Sequence, residues 1–265
     1  MVLIYLLAIA CWTILDSQVR AADAVPEEIP FQQIDCPGTY RGHLQGVCCN
    51  RQGDVYWSFT DRLVKTDTEG EILAAVDAPS HQGDLCYHDG KLYVAVNLGQ
   101  FNKPAGEADS WVFVYDAETL AEIAKHQVPE VVHGAGGIDF HGGHFFVVGG
   151  LPPGTDENYA YQYDTDFKFV QRHVIASGYT LMGIQTAAFH DGHWWFGCYG
   201  KPAELLRTSS DFKDVKRWPY DAALGIVGVG PGKFLIGRGT HSKEGHTGRL
   251  VPAIVDEASG LKDIR

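Results

Sequence analysis

Residues 136–147 read GGIDFHGGHFFV, and they carry the clearest architectural signal in the chain. A short strand of small residues over 136–139 leads to a glycine turn, and an apolar strand follows. Glycine accepts the positive φ that tight hairpin turns demand, so this pattern predicts two antiparallel strands joined by the turn. The same turn recurs along the chain, with anchor glycines at Gly53, Gly90, Gly143, Gly192 and Gly232.

Each recurrence predicts a unit of four strands. A glycine-rich strand precedes the turn, as at 45–49 in the first unit. A third and a fourth strand follow the apolar strand, as at 112–116 in the second unit and 71–79 in the first. The anchor glycines are 37, 53, 49 and 40 residues apart, which is about the length of a β-propeller blade. We therefore predict an all-β fold, a five-bladed β-propeller with four-stranded antiparallel blades. A six-bladed propeller is the alternative.

The two ends of the chain are expected to meet in one blade. Residues 31–37 read FQQIDCP and are similar to the fourth-strand segment 73–79, LAAVDAP. An N-terminal strand of this kind would complete the last blade, which would otherwise leave open edges. In this arrangement the chain resembles the secreted β-propeller superfamily, broadly the NHL, YncE and SMP-30 types. The resemblance covers nearly all of residues 25–265 and rests on architecture, so it implies a fold and little chemistry.

The first residues have the features of a secretory signal. Residues 2–15 read VLIYLLAIACWTIL, an apolar run shorter than the roughly 20 residues that span a bilayer, and the small-x-small pattern of 22–24 suits signal peptidase. We predict a signal peptide over 1–24 and a single propeller domain over 25–265, secreted or periplasmic, with no stable membrane span after cleavage. An uncleaved membrane anchor is the alternative. The cysteines that the mature chain keeps are Cys36, Cys48, Cys49, Cys86 and Cys198.

The composition argues against some partners and cofactors. Lys and Arg number 21 against 33 Asp and Glu, a net charge of -12, whereas binding to a phosphate backbone needs cationic neutralisation. We therefore expect no nucleic-acid partner. Residues 228–233, GVGPGK, lack the spacing of a phosphate-binding loop and read as a strand hairpin, so no nucleotide cofactor is expected. The expected partner is a small molecule or a saccharide.

The site is expected at the mouth of the central channel, on the face with the long loops, because function usually lies on long loops held by a rigid scaffold. One hypothesis places a divalent metal ion of unspecified identity there, since imidazole nitrogens suit several transition metals. Its predicted ligands are His43, His81, His133 and Gln185. For each histidine the alternative is a structural role, in which the ring caps a loop or bonds a backbone carbonyl.

A second hypothesis assigns acid–base chemistry to the same mouth, because histidine titrates near neutral pH and a nearby cation stabilises an anion. This combination suits a polysaccharide lyase acting on uronic-acid sugars. The predicted catalytic residues are His81, His133, Arg238 and Tyr179, and the predicted substrate-binding residues are Tyr40, Arg41, Gln45, Asn97, Tyr199 and Lys201. A glycosidase needs two opposed carboxylic acids, and the acids on the first strands, Asp84 and Asp139, do not share one repeat position.

The sequence leaves two main functions open. The first is a secreted carbohydrate-active enzyme, a metal-assisted lyase or hydrolase, with its site at the His-rich mouth. The second is a non-catalytic propeller that binds a small ligand or a protein partner through the same loops. A calcium-dependent hydrolase of lactones or phosphoesters is a third, weaker option, since Asn97 and Asp84 offer oxygen ligands.

Overall fold

The computed structural model describes residues 29–264, so the predicted signal peptide over 1–24 lies outside the described residues. Within 29–264 the chain forms strands, turns and bends in five antiparallel sheets and contains no helix. This part of the chain accordingly offers no helix that could cross a membrane. The all-β prediction is confirmed.

The strands follow one another along the chain in sets of four. The first strand is β1 (Ile34–Tyr40), which belongs to the last blade. The first blade contains β2 (Leu44–Cys49), β3 (Val55–Phe59), β4 (Arg62–Thr66) and β5 (Ile72–Asp77). The second contains β6 (Gln82–His88), β7 (Lys91–Asn97), β8 (Ser110–Asp116) and β9 (Glu122–Gln127). The third contains β10 (Ala135–His141), β11 (His144–Gly149), β12 (Asn158–Tyr163) and β13 (Phe169–Ile175).

The last two blades complete the ring. The fourth contains β14 (Leu181–His190), β15 (His193–Tyr199), β16 (Glu204–Ser209) and β17 (Lys216–Trp218). The fifth contains β18 (Ile226–Gly230), β19 (Lys233–Ser242), β20 (Gly245–Asp256) and β21 (Gly260–Asp263), together with β1. The innermost strands β2, β6, β10, β14 and β18 contact one another in this order, and β18 contacts β2. The protein is therefore a closed five-bladed β-propeller, and the six-bladed alternative is wrong.

The glycine turns form as the sequence predicts. Gly143 has a φ of 80° and Gly192 a φ of 75°, and the three other anchor glycines also have positive φ. A residue with a Cβ is disfavoured at such angles. These turns fix the register of the first and second strands in each blade, and they place all five hairpins at one end of the channel.

The N-terminal strand closes the ring as predicted. β1 pairs antiparallel with β20, with Ile34 opposite Leu250 and Tyr40 opposite His246. Ile34 is 2% exposed and packs in the apolar cluster between the fifth and first blades. β21 pairs with the remaining half of β20, so the fifth blade has one strand more than the sequence predicts.

Residues 238–248 form the end of a long β-hairpin and not one of the long loops expected at the mouth. β19 and β20 stay paired to the tip, where Ser242 lies opposite Gly245. Cross-strand contacts explain the continuation, since the hydroxyls of Thr240 and Thr247 are 2.6 Å apart and the rings of His241 and His246 are 4.4 Å apart. Arg238 is therefore a mid-strand residue.

The core lies between the blades. Apolar clusters fill the interface of each neighbouring pair of blades in the described chain. Between the third and fourth blades, for example, the fully buried Trp194 lies 4.8 Å from Phe146, ring centroid to ring centroid. The five cysteines of this part of the chain are free thiols. Packing between blades thus holds the inner strands at fixed positions around the channel.

Candidate functional site

Strand ends from four blades meet at one mouth of the channel. The first strand of each blade runs away from this end and the second returns to it, so the start of β6 and the end of β7 lie together there. A cavity of about 200 Å³ opens at this place, and we call it the mouth cavity. It is lined by His43, Gln45, His81, Gln82, Gly83, Asn97, Phe101, Ala135, Gly136, Met182, Gln185 and Tyr199.

The mouth cavity brings together a histidine and a tyrosine from different blades. His43 comes directly before β2, and Tyr199 is the last residue of β15. The Nε2 atom of His43 lies 3.4 Å from the Tyr199 hydroxyl oxygen. This is a long hydrogen bond, of the kind that often shortens when a ligand binds. The pair could therefore exchange a proton at the cavity wall.

Burial sets the protonation states of this pair. It lowers the pKa of His43, and the neighbouring His246 and His81 lower it further. Burial also raises the pKa of Tyr199 to about 12, with a smaller contribution from Asp221. At neutral pH the imidazole is therefore neutral, able to accept a proton, and the phenol keeps its proton. These are the states that a general base and a general acid need.

Two glutamine amides contribute polar groups to the same cavity. Gln45 donates from Nε2 to Thr60 Oγ1 over 3.4 Å, and Gln185 donates from Nε2 to the carbonyl of Met182 over 2.8 Å. An amide nitrogen carries two N–H groups, and each of these bonds uses one. The second N–H of each side chain can serve a ligand.

Two other polar residues at the cavity have structural roles. Gln82 is fully buried, donates to the carbonyl of Pro79 over 2.5 Å and accepts from Tyr115 Oη over 3.3 Å. Asn97 donates to the carbonyl of Gly99 and accepts from the backbone N–H of Asp109, both over 3.0 Å. Their side chains hold the strand ends and the loop between β7 and β8.

The structure places six of the predicted site residues at the mouth cavity, which are His43, Gln45, His81, Asn97, Gln185 and Tyr199. The other predicted site residues lie outside the lining of the mouth cavity. Tyr40 and Arg41 line a separate groove beside β1, where Arg41 pairs with Asp61. The ring of Tyr40 stacks on Phe59 with centroids 3.9 Å apart.

The remaining predicted residues have other partners or face solvent. His133 Nδ1 lies 2.9 Å from the carbonyl oxygen of Lys103. Arg238 donates to Asp263 over 3.0 Å, because its mid-strand position directs it to the outer strand β21 and away from the mouth. Tyr179 is half-buried, and its backbone carbonyl accepts a bond from Arg217. Lys201 is exposed.

The predicted metal ligands do not all meet. His43, His81 and Gln185 line the mouth cavity, whereas His133 bonds a carbonyl group outside its lining. Between residues 29 and 264, no three or more His, Cys, Asp or Glu side chains form a group that could hold a metal ion. The metal site stays a prediction from the sequence.

Sequence reasoning missed three residues at or beside the cavity. Phe101 and Met182 add apolar surface to its wall. Phe101 is the only aromatic residue in the polar loop 98–109, and that isolation is a signal that could have found it. His246 lies 6.0 Å from His43, ring centroid to ring centroid, and its pairing with His241 across the hairpin could have revealed it.

Two acids lie farther along the inner strands, of which Asp84 is buried and Asp139 is half-buried. Asp84 is 2% exposed, and burial raises its pKa well above the ordinary value. Burial raises the pKa of Asp139 to about 7, although the backbone N–H groups of Phe189 and Phe140 bond its carboxyl oxygens and act in the opposite direction. Neither acid lines the mouth cavity, and the residues that do line it include no carboxylate and no Lys or Arg.

Comparison with known proteins supports the fold alone. No protein-family model matches the chain, and no curated protein does. Among solved structures, the chain is similar to xylan β-1,4-xylosidase from Bacillus halodurans C-125, with a TM-score of 0.63, 14% identity and coverage of 87% of this chain and 56% of that one. It is also similar to Bacteroides ovatus xyloglucan PUL GH43B, with a TM-score of 0.61, 14% identity and coverage of 88% of this chain and 56% of that one. For Myxococcus xanthus glutaminyl cyclase the TM-score is 0.57 and the identity 12%, with coverage of 86% of this chain and 100% of that one.

Fold and site together define a class of protein. The chain is a five-bladed β-propeller. The mouth cavity has a volume of about 200 Å³, and its lining combines apolar residues with amide, imidazole and phenol groups and includes no Lys, Arg, Asp or Glu.

Proposed function

We propose that the protein is a carbohydrate-active enzyme of the lyase type, which carries out an elimination on a uronic-acid ring held in the mouth cavity. The observation that carries this proposal is the 3.4 Å contact between His43 Nε2 and Tyr199 Oη, in a cavity lined by amides and without carboxylates. The predicted secretory signal would place this activity outside the cytoplasm, where such polysaccharides occur.

The pair can supply both proton transfers of the reaction. Neutral His43 removes the proton from C5, next to the sugar carboxyl group, and the C–H electron pair forms the C4–C5 double bond. The C4–O bond breaks, and Tyr199 donates its proton to the departing oxygen. The proton then passes from the imidazolium to the phenolate across their contact, which restores both residues without a co-reactant.

The cavity lining offers no Lys or Arg to a uronate, and Arg238 pairs with Asp263 instead, so hydrogen-bond donors must bind the sugar carboxylate. Removal of the C5 proton places negative charge on the carboxyl group, and hydrogen bonds to that group lower the barrier. The second amide N–H groups of Gln45 and Gln185 are the donors we assign to it. His81 is exposed at the same cavity and adds a further donor.

Glycosidase chemistry is less well supported. The fold similarity to a xylan xylosidase is in keeping with a carbohydrate ligand. Two-carboxylate hydrolysis, however, needs a pair of acids on either side of the bond that breaks. No acid lines the mouth cavity.

The test is an activity screen with matched variants. Wild-type protein is incubated with pectate, alginate and a uronate-containing glycosaminoglycan, and the new C4–C5 double bond is followed by ultraviolet absorbance. We expect turnover on at least one polymer. We also expect kcat to fall roughly 10²–10⁴-fold in His43→Gln and Tyr199→Phe. His193→Gln, which changes a half-buried histidine at the opposite end of the channel, should behave as wild type.

Two results would contradict the proposal: no turnover on any acidic polymer, or wild-type rates in both cavity variants. The pH profile gives a further check. Because the base must be unprotonated, kcat/KM should rise with pH through a pKa below the ordinary histidine value.

A specific observation favours a second candidate, a propeller that binds a small polar ligand without catalysis. The imidazole of His133 bonds a backbone carbonyl, and Asn97 and Gln82 bond groups within the protein, as expected for structural residues. In that case calorimetry would detect binding of oligouronates while no double bond forms. His43→Gln and Tyr199→Phe would then change the affinity alone.

A further inference from the structure

The loop between β7 and β8 is fixed at its base. The side chain of Asn97 bonds both ends of the loop, donating to the carbonyl of Gly99 and accepting from the N–H of Asp109. The backbone continues the ladder, with Leu98 N–H bonding the Asp109 carbonyl and Gln100 N–H bonding the Glu107 carbonyl, each over 2.8 Å. The loop therefore leaves β7 in one defined direction.

The residues that follow Phe101 are tied to the third blade. Asn102 donates from its backbone N–H to the carbonyl of His133 over 2.9 Å, and its Oδ1 accepts from the N–H of Leu151 over 3.1 Å. His133 Nδ1 lies 2.9 Å from the Lys103 carbonyl. Phe101 thus sits between a base anchored in the second blade and a segment anchored in the third.

Two glycines leave room for the Phe101 ring. A Cβ placed on Gly134 would lie 2.5 Å from Phe101 Cδ2, and one placed on Gly136 would lie 3.3 Å from Phe101 Cζ. Only a residue without a side chain allows the ring to approach the backbone this closely at Gly134. The third blade therefore supports the ring from behind, and the ring also borders the mouth cavity.

We propose that Phe101 is the platform on which the pyranose ring of the ligand stacks, so that it determines specificity at this site. The proposal rests on the function proposed above and extends it. A sugar ring is amphipathic, with hydroxyl groups at its edge and a face made of C–H groups. The mouth cavity combines hydrogen-bonding groups such as Gln45 and Gln185 with one supported aromatic ring, which matches both parts. The predicted ligand class is a uronic acid in its ring form.

The experiment compares ring acids with an open-chain acid. The probes are galacturonate, glucuronate and mannuronate, with gluconate as the open-chain control, and Kd is measured by calorimetry. The variants are Phe101→Ala, Phe101→Leu and Phe101→Trp. Leu98→Ala is the matched control, because Leu98 lies in the same loop, is 46% exposed and does not line the cavity. Thermal unfolding verifies that each variant is folded.

We expect at least one ring acid to bind wild-type protein. Its Kd should rise roughly three- to tenfold in Phe101→Ala and in Phe101→Leu, and stay within about twofold in Phe101→Trp and Leu98→Ala. The affinity for gluconate should be the same in every variant, since an open chain has no ring face. The proposal is overturned if Phe101→Ala binds ring acids as wild type does. It is also overturned if leucine restores binding as well as tryptophan, or if gluconate affinity falls in parallel.

The two proposals fail in different ways. If wild-type protein binds a ring acid or turns over an acidic polymer while Phe101→Ala changes nothing, the platform alone is wrong. If wild-type protein neither binds these acids nor forms the double bond, the proposed function is wrong and the platform is wrong with it.

Discussion

The backbone N–H of Ala187 donates a hydrogen bond of 3.1 Å to Oδ2 of Asp84, and this bond joins the inner strands of the fourth and second blades. These blades are not neighbours in the ring, so the bond crosses the channel. Asp84 is 2% exposed, so this bond lies in the buried interior of the channel. One carboxyl group thus connects two blades across the channel, farther along the inner strands than the mouth cavity.

Removing this group should destabilise the propeller. Asp84→Ala leaves the buried backbone N–H of Ala187 without its partner, so we expect the free energy of unfolding to fall by about 1–3 kcal/mol. Urea unfolding measures the change. Asp77→Ala is the control, because Asp77 pairs with Arg62 at the surface and should cost less than about 1 kcal/mol. Equal losses in the two variants would show that the cross-channel bond adds no stability.

The close approach of β2 to β6 leaves no space for a side chain at Gly46. A Cβ on this residue of β2 would lie 2.4 Å from Asp84 Cα, and a backbone atom cannot move aside cheaply. We expect Gly46→Ala to lower the free energy of unfolding by about 3 kcal/mol or more. Gly230→Ala on the inner strand β18 is the matched control, since the nearest atom there is Lys233 Cδ at 3.8 Å. A Gly46→Ala variant as stable as the control would mean that the strands are farther apart than described.

Because β1 closes the ring, substitutions of two isoleucines should differ in their effect on the free energy of unfolding. Ile34 and Ile72 each begin an outermost strand, but Ile34 is 2% exposed and Ile72 is 50% exposed. Ile34→Ala should destabilise by about 2–4 kcal/mol, because it leaves a cavity at the closing blade. Ile72→Ala should stay within about 0.5 kcal/mol. Chemical denaturation of both variants checks the prediction, and a similar cost at the two positions would argue against closure by the N-terminal strand.

The titration of the half-buried acid Asp139 should make the stability of the protein depend on pH. Its folded pKa is raised to about 7, whereas the unfolded carboxyl titrates near 3.8. Between these values the folded state binds the additional proton, so the contribution of Asp139 is full below about pH 4 and is lost as pH rises through about 7. The difference in unfolding free energy between wild type and Asp139→Asn should therefore fall with rising pH, by up to about 4 kcal/mol. Parallel curves from pH 4 to 8 would contradict this.

The propeller could be predicted because its signals are local. A glycine such as Gly143 fixes a hairpin turn within a few residues, and the repeated block marks one blade at a time. Closure also followed from a local similarity, that of residues 31–37 to the fourth strands. β21 could not be predicted in the same way, because its place depends on which part of β20 remains unpaired after β1 has paired with it.

Site residues could be predicted from the sequence where the ends of the inner strands determine their positions. His43, Gln45 and Gln185 meet because equivalent ends of inner strands converge around the axis. Arg238 was misplaced because the pairing of β19 and β20 extends past it, which depends on contacts between side chains distant in sequence. Phe101 was missed because its position follows from bonds between one loop and another blade.

The most direct test of the central claim is a crystal structure of Tyr199→Phe with a bound oligouronate, since this variant should bind substrate and turn it over only slowly. We predict a uronic-acid ring in the mouth cavity, with its C5 atom facing His43 Nε2 and its C–H face on Phe101. A saccharide bound at the opposite end of the channel, or one in the cavity with C5 directed away from His43, would contradict the account.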